Sequence, residues 1–270
     1  MATPMTKTLH RRAILLTSLV AVVAAPAALR RLIDVGSRPP LEYEPLVGLP
    51  PFRRLDLAGD VSAPDAALLG IADPSAADRN AAAEAAVRAA PCKALFGRWP
   101  EDRVLPIAYF TSFQCPYCRV LEPELASLVE RSGGRIRLVH HERPVFGPAS
   151  ELAARASVAA GLQGRQEETR ARLLGSGLVT DEGYIRAVAG PLGLDADRLL
   201  RDMRSEAVTR EIARSRALAR LFGFAGTPAL VVGRTGVEGR VPAPLLKRVV
   251  EAERDLPPPC ALARPAGEGT

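Results

Sequence analysis

The chain has 270 residues, 47% of them hydrophobic and only 4% aromatic, so it can form one domain with an insertion around a core built mainly from Leu, Val and Ala. Its formal charge of +6 falls to +3 without residues 1–27, which carry Lys7, Arg11 and Arg12 and no acid. The remaining Arg residues are interleaved with Asp and Glu and no basic patch alternates with aromatics, which argues against a nucleic-acid partner.

Lys7, Arg11 and Arg12 precede an apolar run, Ala13 to Val23, and then the small residues Ala24-Ala25-Pro26-Ala27-Ala28. A basic start, a short apolar stretch and an Ala25-Pro26-Ala27 cleavage site are the layout of an export signal. His10-Arg11-Arg12-Ala13-Ile14-Leu15 also resembles part of a twin-arginine signal. The rival reading of residues 1–28 is an uncleaved anchor. A spanning helix wants about 20 apolar residues, and the stretch, even extended to Leu29, is shorter and is broken by Thr17, Ser18 and Pro26. Export points to the periplasm or cell envelope, where disulfides persist.

Residues 29–51 are Pro-rich without sustained periodicity and read as a linker. Residues 52–100 form an N-terminal extension, with a strand at Phe52–Leu57 and an Ala-rich helix from Asp73-Pro74 to about Phe96. Residues 101–147 hold a clearer block. Val104–Phe110 is an unbroken apolar run that predicts a buried strand. Cys115–Arg131 follows as a helix with Leu121, Leu125, Leu128 and Val129 on one face, and Arg135–His140 is a second strand after the Gly133-Gly134 turn. Strand, helix and strand fit a right-handed parallel crossover. Residues 148–222 carry helical periodicity only, broken at Gly161, Gly175–Gly177 and Gly190-Pro191, with Asp195 capping one long helix through Leu218. In residues 223–256, strands at Ala229–Val232 and Gly236–Val241 pair as a hairpin, and the helix Pro242–Glu253 turns Leu245, Leu246, Val249 and Val250 inward. Residues 257–270 are a Pro-rich tail.

The chemistry centres on Cys115-Pro116-Tyr117-Cys118, at the junction of the buried strand and the amphipathic helix. Unpaired N–H groups and the helix dipole there favour a negative sulfur and can lower a thiol pKa to roughly 3.5–7.5. Pro116 lacks an N–H, which costs nothing in a first helical turn. Cys115 is therefore expected to be a partly exposed nucleophile and Cys118 a buried resolving thiol one turn later. The competing use of such a pair is half of a zinc site, but the candidate partners His140 and His141 are adjacent on a strand and point to opposite faces. A copper site would need Cys118 and His140 to converge. His140, His141 and Glu142 read as surface or loop-anchoring groups, and the Arg series from Arg198 to Arg220 as a solvated face.

Two prolines add to the pattern. Pro123 falls inside the helix, where it removes a hydrogen bond and bends the axis. Gly226-Thr227-Pro228-Ala229 stands immediately before an apolar strand. Thioredoxin-fold proteins, which the βαβ and ββα halves resemble, carry a cis-proline at this place, opposite the Cys pair. The resemblance implies a cis Thr227–Pro228 bond facing Cys115. The run Tyr109-Phe110-Thr111-Ser112-Phe113-Gln114-Cys115-Pro116-Tyr117-Cys118 resembles the active-site segment of the DsbA-like family of thiol–disulfide oxidoreductases. The resemblance covers roughly residues 104 to 254. It implies an α/β, thioredoxin-like fold (βαβ, then ββα) interrupted by an all-helical subdomain, with no cofactor beyond the cysteines. It further implies exchange with cysteine-bearing client proteins, Pro116, Tyr117, Thr227 and Pro228 supporting the site, and a membrane or soluble partner that resets it. The expected direction is disulfide donation. The alternatives are an envelope reductase or isomerase, a dedicated reductant of one partner, or a metal-binding module on the same scaffold. Thr227 resembles some isomerases, yet no dimerisation segment is apparent and a monomer is expected. Many thioredoxin-like proteins carry a buried acid six residues before the first Cys. Tyr109 stands there instead, and Glu122, a possible substitute, reads as a solvated helix carboxylate. Glutaredoxins share Cys-Pro-Tyr-Cys, but their Gly-Gly signal is absent at Val232-Gly233-Arg234-Thr235. With Cys115 and Cys118 assigned, Cys92 and Cys260 remain as a candidate structural disulfide that would pin the tail.

Overall fold

The computed structural model describes residues 40–58, 62, 74–97, 104–177, 179 and 181–257. The chain divides into Met1–Glu42 and Tyr43–Thr270. The segment expected to direct export and Cys260 lie outside the described residues.

In chain order the elements are β1 (Tyr43–Pro45), β2 (Arg53–Ala58), α1 (Pro74–Ala89), α2 (Pro91–Phe96), β3 (Leu105–Thr111), α3 (Pro116–Arg131) and β4 (Ile136–Glu142). The helical block follows as α4 (Gly147–Gly161), α5 (Gln166–Leu174), α6 (Glu182–Ala189), α7 (Ala196–Met203) and α8 (Glu206–Leu221). β5 (Ala229–Val232), β6 (Thr235–Glu238) and α9 (Ala243–Arg254) close the fold.

The strands form one mixed sheet in the order β1-β2-β6-β5-β3-β4. β3 pairs parallel with β4, from Leu105 opposite Ile136 to Thr111 opposite Glu142, as a crossover through α3 requires. β5 runs antiparallel to β3 and to β6. β3 is buried at every residue, which is why it reads as a continuous apolar run: it has a strand on each side and helices on both faces. Ala108, Phe110, Ala229 and Val231 join one core with Val87, Leu95, Phe96, Leu218 and Phe222 from α1, α2, α8 and its end. The alternation of the strand turns Ile107 and Tyr109 to the opposite side. α3 packs on β4 and α9 on β5, burying Leu121, Leu125, Leu246, Val249 and Val250.

The structure differs from the sequence reading at four places. The linker segment contains β1, which pairs antiparallel with β2, and β2 itself joins the main sheet by pairing parallel with β6. The helix expected over residues 73–96 is two helices, because Pro91 forces Ala90 out of the helical region (φ −148°, ψ 64°). The long helix from Asp195 is also two. Ser205 is extended (φ −69°, ψ 155°) and caps α8, its side chain accepting the Val208 N–H at 3.3 Å. Such a cap is worth about 1 kcal/mol. β6 begins one residue earlier than expected and stops at Glu238, since Gly239 turns to φ 84° and its N–H leaves for the Pro228 carbonyl. The β5–β6 turn is made at Gly233 (φ 56°), where a Cβ would press against the Glu253 carboxylate.

The inserted helices have a core of their own, of Ala153, Ala156, Ala160, Leu173, Ile185, Val188, Leu199, Leu200, Met203 and Val208. Phe113, two residues before Cys115, is buried in that core and ties the β3–α3 loop to the insertion.

Candidate active site

β3 delivers the chain to the first turn of α3, and Cys115 is the N-cap residue of that helix (φ −77°, ψ 116°). Its sulfur accepts the Cys118 N–H at 3.2 Å, the bond a Ser or Asp side chain makes at an ordinary cap. Pro116 occupies the first helical position, and Pro123 sits inside the helix. Cys115 and Cys118 are both free thiols.

The Thr227–Pro228 bond is cis, and its loop faces the dithiol: the Cys115 S–H points to the Thr227 carbonyl at 3.3 Å. Arg143, just past β4, donates to the carbonyls of Gly226, of Phe224 at 2.8 Å and of Ala225 at 3.1 Å. From the other side the Glu238 carboxylate accepts the N–H groups of Ala225 and of Gly226, the latter at 2.9 Å. One cation and one anion thus hold successive peptide groups of the loop in place. The β3–α3 loop is braced likewise, by two bonds from Arg119 to the Phe113 carbonyl at 3.2 and 3.0 Å. Sequence reasoning did not single out Arg143, Glu238 or Arg119. Arg143 alone left a trace, as a charge directly after a strand that pairs with the active-site strand.

The two thiols are polarised in opposite directions. Hydrogen bonding from the Cys118 thiol, helped by its backbone N–H, outweighs burial and draws the Cys115 pKa down to about 6. Burial, reinforced by the neighbouring Cys115 sulfur, pushes the Cys118 thiol far up. Tyr109 stands in place of a buried acid, and its hydroxyl donates to the Cys118 carbonyl at 3.2 Å. Burial raises the Tyr109 phenol as well, so it stays neutral.

Cys115 corrects an expectation: it is buried at 0% exposure, as Cys118 is, and not partly exposed. The cover includes main chain at Ser62, which forms an antiparallel bridge with Thr227. Pro116 is exposed and Tyr117 half-buried, so these two residues form the accessible surface of the motif.

Three more residues differ from their sequence reading. His141 is buried, its Nε2 bonded to the Leu95 carbonyl at 2.8 Å and its ring stacked on Phe110, and burial lowers its pKa to about 4. Glu142 is buried against Arg170 and accepts the Ser157 hydroxyl at 2.8 Å. Glu122 is no solvated carboxylate, since it accepts from His140 Nε2 at 3.1 Å and from Arg170 at 3.3 Å. His140 also meets Glu167 through Nδ1 at 3.4 Å, so both its nitrogens are engaged by carboxylates rather than turned to Cys118. Among the described residues, no three His, Cys, Asp or Glu side chains are grouped to hold a metal. Cys92 is disulfide-bonded, and its expected partner Cys260 lies outside the described residues.

A stabilised thiolate beside a neutral buried thiol, one helical turn apart, can exchange a disulfide with another molecule and then close on itself. What the sheet, the helical insertion and the paired thiols define is a thiol–disulfide oxidoreductase on a thioredoxin-like scaffold. The chain belongs to the DSBA-like thioredoxin domain family, whose model matches residues 106–251. A thioredoxin-like oxidoreductase from Silicibacter pomeroyi is 34% identical and superposes with a TM-score of 0.56, over 61% of this chain and 98% of that one. A periplasmic thioredoxin-like protein from Salmonella enterica serovar Typhimurium shares the fold at 24% identity and a TM-score of 0.51, over 61% and 95% of the two chains. Over 157 residues the chain is also 30% identical to a Na(+)/H(+) antiporter NhaA of Herminiimonas arsenicoxydans, a match covering 58% of this chain. The chain spans only 25% of that curated relative's length.

Proposed function

We propose that this enzyme is an exported disulfide donor, with Cys115 as the sulfur that exchanges with client thiols and Cys118 as the resolving thiol. A client thiolate attacks the Cys115 sulfur of the oxidised enzyme, and Cys118 leaves as a thiol after taking up a proton. A second client thiolate then attacks the mixed disulfide at the client's sulfur, releasing Cys115 as a thiolate and the client as a disulfide. What favours this direction is the N-cap position of Cys115, where its sulfur accepts the Cys118 N–H at 3.2 Å and its pKa is lowered. A stabilised thiolate favours the reduced enzyme, so its disulfide is the more readily given away. Thr227 and Pro228 position the client against Cys115, and Pro116 and Tyr117 form the surface it meets. The basic and apolar residues 1–28 and the periplasmic source of the Salmonella structure support export. No helix among the described residues is long and apolar enough to cross a membrane.

The deciding measurement is the reduction potential of the Cys115–Cys118 couple, equilibrated with glutathione across pH. A donor lies above about −200 mV; a value near about −270 mV overturns donation in favour of reduction. Below pH 6, two protons accompany the two electrons and the potential falls by about 59 mV per pH unit. Above the Cys115 pKa of about 6 only Cys118 is protonated on reduction, and the slope halves to about 30 mV per unit.

The disulfide at Cys92 is proposed to close on Cys260, pinning the tail to α2. A non-reducing peptide map should give a single linked peptide pair containing both residues. Recovery of Cys260 as a free thiol would remove that assignment.

A further inference from the structure

The Thr227 main chain borders the reactive sulfur, and part of the same chain is seated on it. Ser62 donates its N–H to the Thr227 carbonyl at 2.8 Å and accepts the Thr227 N–H at 2.9 Å, a complete antiparallel hydrogen-bonded pair. The same Thr227 carbonyl faces the Cys115 sulfur at 3.3 Å. The Ser62 and Thr227 side chains both lie close enough to the Cys115 sulfur to lower its pKa. Beneath this contact Cys115 and Thr227 are both at 0% exposure.

A client joined to Cys115 by a disulfide must run its own backbone past Thr227, because the sulfur lies beside that carbonyl. An extended segment meeting an open N–H and C=O adds as a strand, with main-chain bonds supplying affinity. Ser62 already makes those bonds. Serine differs from cysteine only by oxygen in place of sulfur, and this serine's side chain reaches the sulfur that a client cysteine has to reach. We propose that Ser62 is a built-in client mimic: it occupies the pairing site at Thr227, and a client binds by displacing it as an antiparallel extended segment whose cysteine takes the place of Ser62.

The inference rests on Cys115 being the exchanging sulfur. It adds a self-imposed limit on client access. Only the fraction of molecules with Ser62 displaced can bind, so the apparent client affinity is reduced by that fraction.

The test uses the full chain carrying Ser62→Cys and Cys118→Ser, purified reduced and treated with diamide. Two thiols give up two electrons and two protons to the diazene bond and close a disulfide between position 62 and Cys115, which peptide mapping locates. That cross-link as the main product is the expected result. Position 62 left as a free thiol while Cys115 is oxidised by added glutathione disulfide would overturn the mimic. A parallel reaction of Cys118→Ser alone with a disulfide-bearing peptide separates the two ideas. If no mixed disulfide forms on Cys115 there, the exchange reading fails; if it forms while the cross-link does not, only the mimic fails. In otherwise unaltered protein, Ser62→Pro removes both the N–H and the side-chain contact. It should speed iodoacetamide labelling of Cys115 roughly fivefold to tenfold at a pH where the thiolate is fully formed. Ser62→Ala keeps the backbone pair and should give a smaller gain. Unchanged labelling in Ser62→Pro would also overturn the proposal.

Discussion

Cys118→Ser should convert the enzyme into a trap, in which clients stay bonded to Cys115 and are released only by added reductant. Cys115 attacks as a thiolate at neutral pH because its pKa lies near 6. Cys118 is held neutral by burial and by the adjacent sulfur, so it acts only after Cys115 has given up its charge to a mixed disulfide. Losing the nucleophile and losing the resolver therefore have different signatures. Cys115→Ser should reduce disulfide exchange to the uncatalysed rate and leave no client attached, since the remaining thiol is buried and protonated. Cys118→Ser should accumulate mixed disulfides with a disulfide-bearing unfolded protein, visible on a non-reducing gel and mapped to Cys115. Mixed disulfides on Cys118 in the Cys115→Ser protein would contradict this division of roles. So would turnover by Cys118→Ser at the unaltered rate.

The parts of the fold that were legible in the sequence are those set by local physics. The Val104–Phe110 run is apolar throughout because β3 is covered on both faces, and that burial shows in the residues themselves. Cys115 and Pro116 were placed at a helix start by the same rules that place Ser and Pro there, and both stand where expected. Thr227-Pro228 was legible through its position before an apolar strand. The breaks at Pro91 and Ser205 were not read, for different reasons. Pro91 was an available signal, outweighed by the Ala-rich run before it. At Ser205 the apolar stripe continues on both sides, with Met203 and Val208 both buried, and periodicity cannot see a break that keeps one face to the core. The contacts at Thr227 were illegible because Ser62 is 165 positions away with no motif of its own. The same holds for Glu122, His140, Glu142 and Arg170, which come from α3, β4 and α5 and look, one at a time, like ordinary surface charges.

Those charges carry the second large effect. Arg170→Met should cost about 3–5 kcal/mol, the usual result of removing one partner from a buried ionic cluster. Arg170 and Glu142 are each 1% exposed at the side chain, and their contact is direct. Arg170 also reaches Glu122 on α3 at 3.3 Å and lies over the Phe113 ring at 5.7 Å, so one guanidinium joins the insertion, the active-site helix and the end of β4. In its absence the Glu142 carboxylate keeps only the Ser157 hydroxyl in a buried site, with Oε2 already lacking a partner among the described residues. Arg170→Lys should recover little, because a single ammonium cannot span two carboxylates that a planar fork reaches together. Adding Glu142→Gln to Arg170→Met should restore part of the loss, since a neutral amide is far less costly to bury than an unpaired carboxylate. Urea denaturation of the four proteins reads this out directly, and a cost of about 4 kcal/mol in a domain this size corresponds to roughly 8–16 °C in Tm. A loss below about 1 kcal/mol in Arg170→Met would mean the cluster is hydrated and behaves as a surface ion pair. A double variant no more stable than Arg170→Met would place the damage in lost packing over Phe113 rather than in the stranded charge.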